Sequence, residues 1–279
     1  ISSDAGNGVG YTGIRVRGID PTRVNITVNG IPINDAESQG MYWVNMPDIA
    51  SSTQSVQIQR GVGTSTNGAA AFGASVNIRT NDLSKDKYTL ASFGLGSFNT
   101  QRISLLHNTG RLKNNWAFQL RGSTIQSDGF IDRASSDLKS ANLVAAKYWA
   151  KSVFKANIML GSERTYQAWN GIPEPTFKGD IADENRYINE LYIAGAALQN
   201  LQNSNSKTYN AYTYENEVDN YNQNHYQFFF DHSFTSFLKL NTAAYVTTGQ
   251  GYFEQFRAGD DFAEYGIDSI HPTSDTALS

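Results

Sequence analysis

The sequence predicts a mainly β chain in two parts: a small β-rich unit over 1–82 and a long antiparallel meander over 83–279 with the texture of a transmembrane β-barrel wall. Three observations carry this. Apolar and polar side chains alternate with period 2 in seven runs, near 88–94, 99–108, 115–125, 141–149, 152–162, 225–233 and 237–248. Short connections (109–114, 150–151, 234–236) alternate with long ones (126–140, 163–224, 249–279), and only 95–98 breaks the rhythm. Short turns at one end and long loops at the other mark an outer-membrane barrel. Finally, the 39% apolar and 12% aromatic content suffices for a core and argues against disorder. No run approaches the roughly 18 apolar residues of a membrane-spanning helix.

In the first unit, Gly13-Ile14-Arg15-Val16-Arg17-Gly18-Ile19 alternates apolar and basic residues and predicts a strand with one buried face. Asp20-Pro21 is a turn. Val24–Val28 is a second strand, closed by the turn dipeptide Asn29-Gly30. Ser55–Arg60 and Ala74–Thr80 are the third and fourth. The small residues of 64–73 between them suit a close approach to another backbone.

In the meander, Trp116, Phe118 and Leu120 alternate with Ala117, Gln119 and Arg121. Phe154, Ala156, Ile158 and Leu160 alternate with Lys155, Asn157 and Met159. Runs of about 9–11 residues fit a tilted membrane crossing. Trp116, Tyr148, Trp149, Tyr226 and Phe237 sit near run ends, where interfacial aromatics belong. A soluble β-sandwich has the same period; the loop asymmetry favours the barrel. Residues 185–198 could hold a short helix, and 199–224 read as a polar surface loop.

Several chemistries are excluded or unsupported. Zero cysteines remove disulfides, thiolate metal sites and cysteine nucleophiles. A net charge of -4 argues against nucleic acid as a partner. His107, His225, His232 and His271 lack metal spacing, and His225 and His232, seven apart on one strand, face opposite sides. No nucleophile–base pair points to an enzyme, and no cofactor or metal motif is present. Charge is uneven: 83–162 hold 11 basic and 4 acidic residues, whereas 163–224 hold 4 and 9.

Four motifs stand in one order: Ile14-Arg15-Val16-Arg17-Gly18, Val28-Asn29-Gly30-Ile31-Pro32, Gln57-Ile58-Gln59-Arg60-Gly61 and Ala71-Phe72-Gly73-Ala74-Ser75-Val76-Asn77-Ile78-Arg79-Thr80. Together they resemble the later half of the plug domain of TonB-dependent outer-membrane receptors. Ser92–Thr100 is similar to that family's first barrel hairpin. Three departures stand out: Asn29 replaces the usual Asp, Gln57 and Gln59 occupy a stretch that usually carries a Glu, and Ala74 replaces the second Gly.

The resemblance implies a plug (1–82) inside a transmembrane antiparallel β-barrel (83–279), with extracellular loops near 163–224 and 249–279. Seven of about 22 strands are read here, so the chain reads as a fragment lacking the plug start and the TonB box. The implied function is energised nutrient uptake across the outer membrane. The implied partners are a TonB-type energy-coupling protein, outer-membrane lipid and a surface lipoprotein. Ligand contact is expected on the outward plug loops 6–12 and 34–45, at Asn7, Tyr11, Asn34, Asp35, Glu37, Gln39, Tyr42 and Trp43, with Trp169 at the vestibule beside Tyr166 and Glu174. Met41, Tyr42 and Trp43 could equally anchor their loop against the plug core. Arg15, Arg17, Arg60 and Arg79, on otherwise apolar strands, are expected to lock the plug through charge-assisted bonds. The competing reading is a soluble β-rich adhesion or carbohydrate-binding module.

Overall fold

The computed structural model describes residues 2–3, 9–62, 72–191, 193–257 and 260–267. A two-stranded ribbon pairs β1 (Ser2–Ser3) with β2 (Thr12–Gly13). A four-stranded sheet follows, in the order β4-β3-β6-β5: β3 (Val24–Val28), β4 (Ile31–Pro32), β5 (Thr53–Arg60) and β6 (Ala74–Thr80). β3 and β6 are parallel, and the other pairs are antiparallel. The turn from β3 to β4 has positive φ at Asn29 (56°) and Gly30 (80°), the paired left-handed geometry of a type I′ hairpin.

The expected strand over 13–19 is corrected. Arg17 (φ 54°) and Gly18 (φ 77°) form a tight turn, and Ile19 N–H donates to the Val16 carbonyl. The Arg-Val-Arg alternation reads as a strand, but two consecutive left-handed residues reverse the chain. β3 also differs from expectation, since both of its faces are buried. Val24, Ile26 and Val28 pack with Val76, Ile78, Ile33 and Met46. On the other face Thr27 Oγ1 donates to Asn77 Oδ1 at 2.8 Å, which satisfies a hydroxyl that would be costly to bury unpaired. Gly73 sits where a Cβ would come within 2.6 Å of Ile19 Cγ2, so β6 can enter this core only on a glycine. The expected close-packed segment otherwise falls on 63–71, outside the described residues.

The meander forms one seven-stranded sheet in sequence order: β7 (Lys87–Gly96), β8 (Thr100–Arg111), β9 (Trp116–Ser127), β10 (Ser136–Tyr148), β11 (Ser152–Tyr166), β12 (Val218–Ser233) and β13 (Lys239–Phe253). Every neighbouring pair is antiparallel. Most strands run further toward the long loops than the alternation suggests; β12 starts at Val218, seven residues before its apolar run.

The register sorts the side chains by face. Leu120, Leu143, Ile158, Tyr226 and Val246 form one cross-strand row. The adjacent row on the opposite face is Gln119, Val144, Asn157, Gln227 and Tyr245. Leu120 and Val246 are each 56% exposed, whereas Gln119, Asn157 and Gln227 are buried. An apolar outer face and a polar inner face are the alternation of a barrel wall in lipid. A sandwich would bury the apolar face under a second sheet; among the described residues none covers it.

The 51-residue connection from β11 to β12 carries three helices, α1 (Glu174–Lys178), α2 (Ile181–Glu190) and α3 (Gly195–Asn203). The sequence suggested one. Pro173-Glu174-Pro175 starts α1 and Gly179 ends it in the left-handed region (φ 71°); the Asp180 side chain caps α2 by accepting from Asp183 N–H.

Candidate functional site

Among the described residues, Met159 of β11 reaches into the core of β3 and β6, and three further contacts join the inner face of the wall to the four-stranded sheet and its loops. At the first, Asp48, with left-handed φ of 52°, projects from the 3₁₀ turn 49–52 into the wall. Its carboxylate accepts from Arg121 Nη1 at 3.0 Å and Arg102 Nε at 3.2 Å. Arg121 is almost wholly buried and donates further to Ser52, Ser123 and Ser140. Arg102 also donates to Ser51. A buried guanidinium is tolerated because each of its three nitrogens meets an oxygen.

At the second place, Gln227 Nε2 donates to the Val28 carbonyl at 3.2 Å, while Gln227 Oε1 accepts from Asn29 Nδ2 (3.0 Å) and Asn157 Nδ2 (3.1 Å). Asn29 Oδ1 in turn accepts from Thr80 N–H and Oγ1. This explains the departure at position 29: an aspartate has no N–H to give Gln227. At the third place, Gly161 on β11 faces the loop before Asp48. A Cβ there would come within 2.5 Å of the Asn45 carbonyl and 2.9 Å of Pro47 Cδ.

The four arginines expected to lock the plug lie elsewhere. Arg15, Arg17 and Arg60 are exposed, and Arg79 pairs with Asp82 at 2.7 Å on the surface. Among the described residues, the ion pairs that join sheet to wall have the opposite polarity, one plug carboxylate between two wall arginines. Sequence reasoning missed Asp48, Arg102 and Arg121. The available signal was an arginine at an inward position of each of two successive wall strands.

Beside these contacts, and reaching toward the long loops at Asp219, lies a cavity of about 970 Å³ between loop 32–45 and the inner faces of β12 and β13. Five of the expected ligand residues line it: Tyr11, Asn34, Asp35, Glu37 and Tyr42. The wall contributes Asp219, Tyr221, Gln223, Tyr245 and Thr247, which sequence reasoning did not select. Period 2 could have placed them, since all five share the inward face.

The lining residues have different duties. Asn34 commits both amide donors to the Val24 and Gln39 carbonyls and accepts from Ile26 N–H at 2.7 Å, so it braces the loop. Asp35 Oδ1 accepts from the Glu37 and Ser38 N–H groups. The Ser38 bond leads in holding the Asp35 carboxyl below the usual carboxylate range. Tyr42 is half exposed, and Glu37 is exposed.

Gln39 lies off the lining, at φ 56° on the turn whose N–H bonds the Asp35 carbonyl. Trp43 and Met41 pack against the core formed by β3 and β6, so the anchoring alternative describes these two, whereas Tyr42 faces the cavity. Trp169 stands one ring behind the cavity, edge-on to Tyr11 at 5.7 Å and to Phe253 at 6.4 Å. Of its expected neighbours, Tyr166 is buried with its hydroxyl on the Tyr214 carbonyl, and Glu174 pairs with Lys178 on α1. Asn7 lies outside the described residues.

The long loops are tied together around Asn210. Its Nδ2 donates to the Asp132 and Gln167 carbonyls, and Arg133 donates to the Asn210 and Tyr212 carbonyls. His225 faces inward and buried, while His232 contacts Phe230 and Phe234. Among the described residues no group of acidic residues and histidines could hold a metal ion.

Residues 1–75 match the family model of the TonB-dependent Receptor Plug Domain. No curated protein matches the chain. Among solved structures, the open form of the ferric-catecholate import receptor Fiu from E. coli K12 is 17% identical with a TM-score of 0.64, covering 88% of this chain and 34% of that one. The siderophore receptor PiuA from Acinetobacter baumannii is 15% identical with a TM-score of 0.63, covering 88% and 32%. The ferric yersiniabactin uptake receptor FyuA from Yersinia pestis is 14% identical with a TM-score of 0.57, covering 91% and 37%. At these identities the likeness is one of fold, and the chain spans about a third of the length of these structures. Residues 1–75 are thus similar to the TonB-dependent receptor plug domain, and the chain shares the fold of the corresponding third of these receptors, a plug lodged against barrel strands.

Proposed function

We propose that this chain serves in energised uptake of a scarce nutrient across a Gram-negative-type outer membrane. Residues 1–82 act as the plug and 83–279 as the first strands of the wall, with the long loops outside the cell. Cargo binds between loop 32–45 and β12–β13, and a TonB-type protein then drives rearrangement of the plug. The observation that carries this reading is the cavity of about 970 Å³ shared by plug and wall. It extends from the rows of the Asp48 and Gln227 contacts, at Thr247 and Tyr245, toward the long loops at Tyr221 and Asp219, so cargo entering from the long-loop side would reach it before the plug.

Within that site Tyr42, Tyr221 and Tyr245 supply apolar faces with a hydroxyl rim, and Asp35, Glu37 and Asp219 accept hydrogen bonds. Asn34, Gln39 and Trp43 position the loop, and Trp169 backs Tyr11. Arg15, Arg17 and Arg60 are exposed and, with the surface Arg79–Asp82 pair, are placed to meet wall strands beyond these seven. The adhesion-module alternative has less support, because a water-soluble module would not present an apolar outer face of this extent.

The test uses the intact protein as a cell's only route for its cargo, the cargo being identified by mass spectrometry of what co-purifies. Uptake is expected to require TonB-type coupling. Tyr42→Ala and Tyr245→Ala are expected to raise the KM for uptake at unchanged membrane level. Uptake without coupling, or variants with wild-type KM, would overturn the reading.

A further inference from the structure

We infer that the short-turn rim of the wall is a docking surface for anionic phospholipid headgroups. This rests on the reading above that the wall crosses a membrane with its short turns on the periplasmic side, where outer-membrane barrels carry them.

The first observation is a charge division along the wall. The short-turn segments 85–87, 111–116, 147–152 and 231–239 hold seven lysines and arginines against two aspartates. The long-loop segments 97–99, 127–136, 164–218 and 253–267 hold thirteen acidic residues against six basic ones. Only the short-turn end therefore attracts anions.

The second observation is how the basic groups are held. Lys147 lies on the outward face, cross-strand from Trp116 and Phe154. Its ammonium sits 5.5 Å from the Trp116 ring centroid and 6.0 Å from that of Trp149, and it donates to the Asn114 carbonyl. A cation set among aromatic rings at the foot of an apolar face is in the snorkelling position, with its stem along lipid and its head at headgroup level. Lys113 and Lys151 are exposed on the adjoining turns.

The third observation is continuity with the lipid-facing surface. Trp149 is 51% exposed and Phe237, at the tip of the last turn, 89% exposed. Both extend the outward face past the strand ends, where interfacial aromatics sit. A soluble phosphate would have no use for these rings. Charge complementarity and continuity with the apolar wall together select a phospholipid as the occupant.

The experiment is native mass spectrometry of the intact detergent-solubilised protein with added phosphatidylglycerol or phosphatidylethanolamine. The wild type is expected to retain phosphatidylglycerol preferentially. The triple variant Lys113→Gln, Lys147→Gln, Lys151→Gln should lower that preference roughly tenfold or more. Lys207→Gln, which removes a cation–aromatic pair at the long-loop end (3.7 Å from the Phe177 centroid), should leave it unchanged. Equal retention of the two lipids, or an unchanged preference in the triple variant, would overturn the inference. So would displacement by soluble glycerophosphoglycerol at equal concentration, which would mark a phosphate site instead. A separate insertion assay into vesicles reports on the membrane-wall reading: failure to insert sinks that reading, whereas insertion without lipid preference sinks only this one.

Discussion

The two sheets of this chain bury opposite kinds of side chain. In the plug sheet the hidden groups are largely Val24, Ile26, Val28, Val76 and Ile78. In the wall the largest hidden groups include Gln119, Gln227, Glu163, Asn108 and Asn157, while Phe228, Leu143 and Val246 are exposed. One rule produces both. Apolar area leaves water wherever it can; the plug has its own interior, closed on the wall side by Met159, whereas on the proposed reading the wall has lipid on one side and the plug on the other. A hydrophobic core is therefore sought within the plug, and polar complementarity is sought between plug and wall.

The comparison breaks most sharply at Asp48, where the two regions meet. Asp48→Ala leaves the Arg121 guanidinium buried against Ser52, Ser123 and Ser140 without its carboxylate. Removing one partner of a buried pair costs about 3–5 kcal/mol. The expected result is a plug that unfolds at lower urea than the wall, with increased ion leakage across bilayers holding the intact protein. Unchanged urea midpoint and conductance would show that Asp48 does not hold the plug.

The outer face gives the next largest effect. Leu143 stands mid-row among Leu120 and Ile158 on the exposed side. Leu143→Arg places a charge against lipid and is expected to cost about 2–4 kcal/mol if the site is near the midplane. Reversible unfolding from vesicles measures it. A soluble sheet would accept the same change at an exposed position with almost no loss, so a near-zero cost would return the wall to water.

What was legible in the sequence follows the same division. The wall strands were readable because period 2 survives wherever the two faces see different solvents, as in Trp116–Arg121. Strands β3, β5 and β6 were readable from alternation and the Asn29-Gly30 turn. The Arg17-Gly18 turn was not, because nothing in the Arg-Val-Arg pattern announces a positive φ at Arg17. The ligand loop was found, but Trp43 and Tyr42 are neighbours with opposite duties, and only packing separates them. The Asp48 contact was not legible, because its partners lie 54 and 73 residues away and meet it only through the register of β8 and β9.

Asn34 sharpens the comparison on a smaller scale, since it is a polar brace inside the apolar plug. Asn34→Ala frees two carbonyls and one N–H together. Leaving such groups unsatisfied costs about 1–3 kcal/mol. The expected outcome is weaker cargo binding with the wall's melting unchanged. Equal affinity would mean that loop 32–45 is held by Met41 and Trp43 packing alone.

The smallest effect is a pH dependence confined to that loop. Asp35 accepts from the Glu37 and Ser38 N–H groups, and its folded carboxyl is held below the ordinary range chiefly by the Ser38 bond. A lowered folded value means that the native loop binds this proton less readily than the unfolded chain does. The contribution is therefore fully present above the ordinary carboxylate range and is lost as pH falls through the lowered folded value. Hydrogen exchange at the Glu37 and Ser38 amides, corrected for intrinsic rate, should show constant protection from neutral pH down to that range and declining protection below it. Asp35→Asn keeps a carbonyl acceptor but cannot ionise, so its protection should be weaker and independent of pH. Protection that declines identically in both proteins would place the acid sensitivity outside this turn.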